Sequence, residues 1–176
     1  DSESGFYEID PGQGRLLAHC DMDTDVGGYT SYAVPDGTRT YRATDPNSCQ
    51  ALGMDIVVPR SRNHWASLLR RFDSSYFRTV PGVFKATSGG NFTRVAMNSD
   101  SVPENTWQAL DGREWWIRDA PYGEPNGNYT QYCWLGMNGW SVDSLTFDDN
   151  SCNFSTTKYI CSTNDKSSVL GNTTSD

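Results

Sequence analysis

The stretch GEPNGNYTQYCW, residues 123–134, sets Glu124, Pro125 and Asn126 side by side. Pro-Asn-Gly can serve a turn through its shape alone. The same triplet offers a carboxylate and an amide oxygen, which are ligands that a hard divalent cation takes. Downstream, FDDNSC supplies two more carboxylates, Asp148 and Asp149. A second acidic run, DMDTD, carries Asp21, Asp23 and Asp25. It resembles the start of a calcium loop but lacks the downstream glutamate of an EF-hand, so a solvated acidic turn is expected there. Gly27 and Gly28 then serve that turn rather than a phosphate.

Other chemistry finds less support. His19 and His64 are far apart in the sequence, and neither stands at metal-ligand spacing from a cysteine, which argues against zinc. His64 falls between a helix cap and an apolar stripe, so it is expected at the surface. With no Gly-x-Ser-x-Gly and only 2 histidines, the options for a nucleophile and its base are few, and no enzyme activity is expected. The net charge is −8 and the 14 basic residues form no cluster, which argues against nucleic acid and against an anionic membrane surface. No apolar run approaches the ~18 residues of a membrane-spanning helix, so direct membrane insertion of this chain is not expected. The opening DSESGFYEID has no signal-peptide organisation and reads as the start of a mature chain or ectodomain.

The elements that must position these residues are legible in part. A length of 176 residues allows one domain with a real core, and 12% aromatics point to a core built on Trp, Tyr and Phe. GFYEI and RLLAHC read as strands separated by the turn DPGQG, and VPDGT reads as a further turn. TDPNSCQALGM predicts a short helix, with Asp45 as its N-cap, Pro46 at the first helical position and Gly53 at its end. DIVV follows as a buried strand ending at Pro59. SRNHWASLLRRF predicts the clearest helix, because Trp65, Leu68, Leu69 and Phe72 form one apolar stripe and Ser61 can cap its start. From about residue 75 to 161, loops dominate, with short strand-like runs GVFKAT, FTRVAM, EWWIRD and KYICS; Trp115 and Trp116 are expected in the core.

Five cysteines (Cys20, Cys49, Cys133, Cys152 and Cys161) and four sequons (Asn91, Asn128, Asn153 and Asn172) together point to an extracellular protein, secreted or the ectodomain of a cell-surface protein. The spacing of the cysteines leaves their connectivity open.

The segment CQALGMDIVVPRSRNHWASLLRRF resembles the opening of a C-type lectin-like domain, and GEPNGNYTQYCW, FDDNSC and KYIC follow in that family's order. DGREWWIRDAPYGEPN also resembles the tryptophan-bearing approach to its Glu-Pro-Asn loop. The resemblance covers roughly residues 36–162. It implies an α+β fold with two short helices, small antiparallel sheets and a long loop region, stapled by Cys49–Cys161 and Cys133–Cys152. SGFYEIDPGQGRLLAHCDMDTDVGGYT is similar to the start of fibrinogen-like domains. Residues 1–35 are therefore expected as an N-terminal segment packed on the body, and residues 163–176 as a polar tail or stalk. Cys20 then stands free, pairs with a second chain, or has its mate outside this sequence.

The resemblance further implies a bound calcium ion. Glu124 and Asn126 match the loop ligands, and Pro125 matches the cis proline that turns both side chains to one side. Asp148 and Asp149 match the family's paired Asn-Asp ligands, with a backbone carbonyl of Asp149 added. Gln131 stands where the family has a glutamate, and Phe147 where it has tryptophan. Two sugar hydroxyls would complete the ion's coordination, as in mannose, fucose or N-acetylglucosamine. Glu124, Asn126 and Asp148 would bind them, and Tyr122, Tyr129 or Trp140 would lie against the ring. The implied partner is a glycan or glycoprotein on a cell surface, and the implied use is adhesion or recognition. A glycan on Asn128 would crowd that loop. The alternative is a metal-free domain of the same fold that binds a protein partner or serves as a structural adhesion module.

Overall fold

The computed structural model of this chain describes residues 2–42, 47–58, 60–77, 83–85, 96–97, 107–109, 111, 113, 115–116, 132–138, 141–143, 146–151 and 153–166. Strands β1 (Gly5–Ile9) and β2 (Leu16–Asp21) form an antiparallel hairpin in which Phe6 faces His19 and Ile9 faces Leu16. These are the two strands expected from GFYEI and RLLAHC. Between them, Asp10 Oδ1 accepts from the Gly12 and Gly14 amides, so the carboxylate organises the turn locally. β2 continues through the acidic turn into β3 (Tyr29–Ala33), again antiparallel.

β4 is the short pair Tyr41–Arg42. The first expected helix is instead a three-residue 3-10 turn, Gln50–Leu52, closed by Gly53 in the left-handed region at φ 70°. Its bonds run three residues back, from Gln50 to Asn47, Leu52 to Cys49 and Gly53 to Gln50. The physical reason is composition: Asn47, Ser48 and Cys49 are weak helix formers, and left-handed Gly53 ends the turn at once. Gly53 also lies close against the Pro11 backbone, since an added Cβ would meet the Pro11 carbonyl oxygen at 2.4 Å. The expected cap Asp45, and Pro46 and Pro59, lie outside the described residues. β5 (Asp55–Ile56) follows, then the helix α1 (Arg62–Arg71), the single α-helix among the described residues where two short helices were expected. Ser61 caps α1 as expected, its Oγ accepting from the His64 amide at 2.9 Å.

The later part holds short strands: β6 (Val83–Lys85), β7 (Ala96–Met97), β8 (Trp107–Ala109), β9 (Trp115–Trp116), β10 (Tyr132–Asn138), β11 (Thr146–Ser151), β12 (Ser155–Thr156) and β13 (Ile160–Ser162). The expected runs GVFKAT, FTRVAM, EWWIRD and KYICS each contain one. A four-stranded sheet has the order β11-β10-β6-β8, all antiparallel, and β12 pairs antiparallel with β4. β7 and β9 pair in parallel. The chain is thus mixed α+β with small, mostly antiparallel sheets.

The largest sheet has the order β1-β2-β3-β13-β5. It joins the first thirty-five residues to the last strand, so the expected boundary at residue 35 falls within a shared sheet. Cys161 on β13 lies opposite Tyr32 and Ile56 and forms a disulfide with Cys49, 112 residues earlier in sequence. In a chain-entropy account, closing a loop of that length contributes ~4–5 kcal/mol. The core gathers around this junction: Trp65 and Leu68 of α1, Ile56, Val57 and Val58, Tyr159 and Ile160, and Trp115 and Trp116 are all buried. Trp65 meets Phe77 edge-on with ring centroids 5.9 Å apart. Fully burying one such aliphatic side chain contributes roughly 1.5–3 kcal/mol.

Residues 163–166, expected in the polar tail, are docked instead. Asn164 is buried; its amide donates to the Ile56 carbonyl at 2.8 Å and its Oδ1 accepts from the Val58 amide at 3.0 Å. The side chain thereby satisfies the two backbone groups on either side of Val57, whose own amide donates to the Ile160 carbonyl. Residues 167–176 lie outside the described residues.

Gly53→Ala is expected to lower stability by roughly 1–3 kcal/mol, combining left-handed strain with the Pro11 contact. Gly37→Ala is the comparison, because Gly37 has φ 76° but nothing within 4 Å of an added Cβ. Urea midpoints of the two variants should separate, with Gly53→Ala the lower; equal losses would remove the Pro11 contact from the account.

Candidate functional site

Of the expected calcium and sugar ligands, Tyr122, Glu124, Pro125, Asn126, Tyr129, Gln131 and Trp140 lie outside the described residues, as do Cys152 and the sequons at Asn91, Asn128 and Asn172. Asp148 and Asp149 stand on β11, whose pairing with β10 sets Asp148 opposite Gly136 and Asp149 opposite Leu135. Register shifts between Tyr132 and Trp134, so the ladder is bulged where β10 begins, beside Cys133. Asn153 is exposed in the turn between β11 and β12. Among the described residues, no three His, Cys, Asp or Glu side chains converge as a metal site. Cys20 is free and half-buried on β2, and burial pushes its thiol up against the opposing hydrogen bond of Thr30.

Among the described residues, the densest polar constellation lies where the acidic turn meets α1. The turn was expected to be solvated; Asp23 is exposed as expected, but Asp21 is buried and Asp25 half-buried. Asp21 is 6% exposed. Its Oδ1 accepts from the Asp23 and Thr24 amides at 3.1 and 2.8 Å, and its Oδ2 accepts from Ser67 Oγ on α1. Asp25 reaches the other end of the helix: Oδ2 accepts from the Tyr29 hydroxyl at 2.9 Å and from Ser61 Oγ, while Oδ1 accepts from Asn63 Nδ2 at 2.9 Å. Ser61 therefore caps the helix with its lone pair and ties it to the turn with its proton. The carboxylates act as clamps because a buried anion must be repaid by hydrogen bonds, and the short hydroxyl side chains on α1 supply them.

His64 is the second correction. It is 2% exposed, its ring stacked on Tyr29 with centroids 3.8 Å apart and planes 7° from parallel. Its Nδ1 accepts from the Arg60 amide at 3.4 Å. Lys166 Nζ also sits over the Tyr29 ring, 4.6 Å from its centroid, and donates to the carbonyls of Asp25 and Gly27. Arg60, 1% exposed, forms a two-pronged ion pair with Asp111 and donates to the Lys166 carbonyl at 3.1 Å. The segment 164–166 is thereby strapped across the turn, and Asp25 and Val26 at its tip hold φ values of 51° and 65°, with Val26 91% exposed. A β-branched residue in that region is strained, and the surrounding bonds hold it there.

Burial alone would raise the Asp21 carboxyl, but the hydrogen bonds from Ser67, Thr24 and Asp23 outweigh it and hold the group down to about 2. Asp25 is lowered in the same way, with burial outweighed by Ser61, Asn63, Tyr29 and the Lys166 charge. Burial, reinforced by the Arg60 charge, drives the His64 imidazole down to about 3, so it is neutral in the folded protein. No imidazole accepts from a hydroxyl among the described residues; Ser61 and Ser67 give their protons to carboxylates. The arrangement docks a helix and does not raise a nucleophile.

These clamps were missed in the sequence because each contact joins segments some forty residues apart. The one signal was polar spacing on a helix, with Asn63 and Ser67 opposite the Trp65–Leu68 stripe and Ser61 at its cap. No protein-family model matches this chain, and no curated protein matches it either.

Stability is expected to fall with acid in two segments. The unfolded imidazole takes a proton below its usual 6.5, whereas folded His64 does not until about 3, so each step below pH 6.5 favours the unfolded chain. Asp21 contributes fully above about pH 4 and loses its contribution as pH falls to about 2. His64→Phe keeps a ring against Tyr29, and in urea titrations it should remove up to about 1.4 kcal/mol per pH unit from the slope between pH 6.5 and 4.5. An unchanged slope would mean that His64 is protonated in the folded state.

Proposed function

We propose that residues 36–162 form a C-type lectin-like domain that binds glycans through a calcium ion, outside the cell, with residues 1–35 as a segment similar to the start of a fibrinogen-like domain. The observation that carries the reading is the ordered set Glu124-Pro125-Asn126, Cys133, Asp148-Asp149, Cys152 and Cys161. Two features of the fold support it. The disulfide joins Cys49, at the short turn of helix, to Cys161 on the last strand. The strand that carries Asp148 and Asp149 is the hairpin partner of the one that follows Gln131 and contains Cys133.

The donor set suits a hard cation: carboxylates from Glu124, Asp148 and Asp149, and amide oxygens from Asn126 and Gln131. Calcium so held would recognise paired hydroxyls of mannose, fucose or N-acetylglucosamine on a cell-surface glycoprotein. Protonation of the three carboxylates competes with the metal, so the glycan is released as pH falls toward 5.

Calcium bound to the native state alone must raise the melting midpoint; at 100 times its dissociation constant the gain is ~2.7 kcal/mol. Melts in millimolar calcium chloride and in EGTA should differ by several degrees, and Glu124→Ala or Asp149→Ala should each erase the difference. Equal midpoints would end the calcium reading and leave the metal-free, protein-binding alternative.

A further inference from the structure

A polar cleft of about 370 Å³ lies between α1 and the N-terminal hairpin. One wall is a single helical face, because Ser67, Arg70 and Arg71 are three and four residues apart. The floor is β2, where His19 and Asp21, two residues apart, project to the same side of the strand. Ser4, Asp23 and Thr24 form the rim. Its volume falls at the lower end of the range typical of small-molecule sites.

The charges in this cleft do not cancel, because they are committed unequally. The Asp21 carboxylate already accepts from Ser67 Oγ and from two backbone amides. Asp23 Oδ2 accepts from Ser4 Oγ at 2.6 Å. Arg70 and Arg71, by contrast, make no ion pair with any described residue; Arg71 only overlies the Phe6 ring, 6.0 Å from its centroid. The C-terminal end of a helix favours cations, which accounts for two arginines in the last turn. It does not account for the imidazole beneath them. His19 is 3% exposed, its ring edge-on to Phe6 and Phe72, and its buried Nε2 has no hydrogen-bond partner among the described residues. A buried polar atom without a partner is costly, and a ligand group supplies the partner.

We infer that this cleft binds a small hydroxylated carboxylate of the size of a hexuronate. The ligand's carboxylate lies on the Arg70 and Arg71 guanidiniums, which match its fork geometry. Its hydroxyls meet Ser4, Thr24 and the second oxygen of Asp23 on the rim. His19 takes a proton as the anion arrives and donates from Nε2. In the free protein, burial and the Arg71 charge outweigh the Asp21 carboxylate and hold that imidazole below its usual value; an anion on the arginines offsets the Arg71 charge and itself favours the protonated ring. The cleft uses no residue of the proposed calcium set, so binding here is independent of the metal.

The test is an NMR titration of the full chain with sodium glucuronate in EGTA at constant ionic strength, with D-glucose and inorganic phosphate as parallel probes. Saturable shifts at His19, Ser67, Arg70 and Arg71 are expected with glucuronate, with a dissociation constant on the order of 1 mM, together with a rise in the His19 pKa. Arg70→Gln/Arg71→Gln, two exposed positions, should weaken binding at least tenfold while the spectrum stays folded, and Arg15→Gln on the exposed hairpin should not change it. Absent saturation, an equal response to glucose, tighter binding of phosphate than of glucuronate, or undiminished binding in the double variant would each overturn the assignment. EGTA throughout keeps the outcome separate from that of the calcium melts.

Discussion

The internal place of β13 in the five-stranded sheet is the constraint on which the other parts rest. A strand of three residues, Ile160–Ser162, pairs with β3 on one side and β5 on the other. On one side it holds the N-terminal hairpins; on the other it holds the segment that leads into α1. Cys161 adds a covalent tie to Cys49 from the same strand. So short a strand would not hold by its own ladder, since it offers only two register pairs to each neighbour. The buried side chains of Ile56, Ile160 and Tyr159 and the disulfide compensate, and the Asn164 amide adds two bonds, to Ile56 and Val58.

With the sheet closed, α1 has an apolar face to bury and a polar face to secure. Trp65 and Leu68 take the first role. Ser61, Asn63 and Ser67 take the second, through Asp25 and Asp21. The helix is thus held from both sides, by a core that is tolerant of direction and by hydrogen bonds that are not. Lys166 and Arg60 complete the enclosure with a cluster of cation, phenol and imidazole, a low-dielectric setting in which each polar contact is strengthened.

What the sequence disclosed follows from range. The hairpin strands, the α1 stripe and the Ser61 cap depend on neighbours within a few residues, and they stand where pattern and cap chemistry put them. His64 reads as a surface residue because its own helix leaves it off the apolar stripe; its burial is decided by Tyr29, which no local pattern connects to it. The acidic run reads as solvated for the same reason, since its partners sit on α1. The Gln50–Leu52 turn looked like a helix because its end signal, Gly53, is correct, while the weak propensities of the preceding residues decide the type. Of the expected metal ligands, Asp148 and Asp149 belong to a strand, and the loop triplet rests on sequence alone.

The late position of Cys161 has a consequence for biosynthesis. A ribosome exports Cys20 and Cys49 long before Cys161 exists, and through that interval β3 presents an unsatisfied edge to whatever surrounds the nascent chain. If oxidant is present, the bridge offered first by order of emergence is Cys20 to Cys49, the wrong one. Burial that keeps the Cys20 thiol protonated slows its attack only once the hairpin has folded. Were β1, β2 and β3 to fold before Cys161 emerges, Cys20 would be half-buried and Cys49 left for its partner.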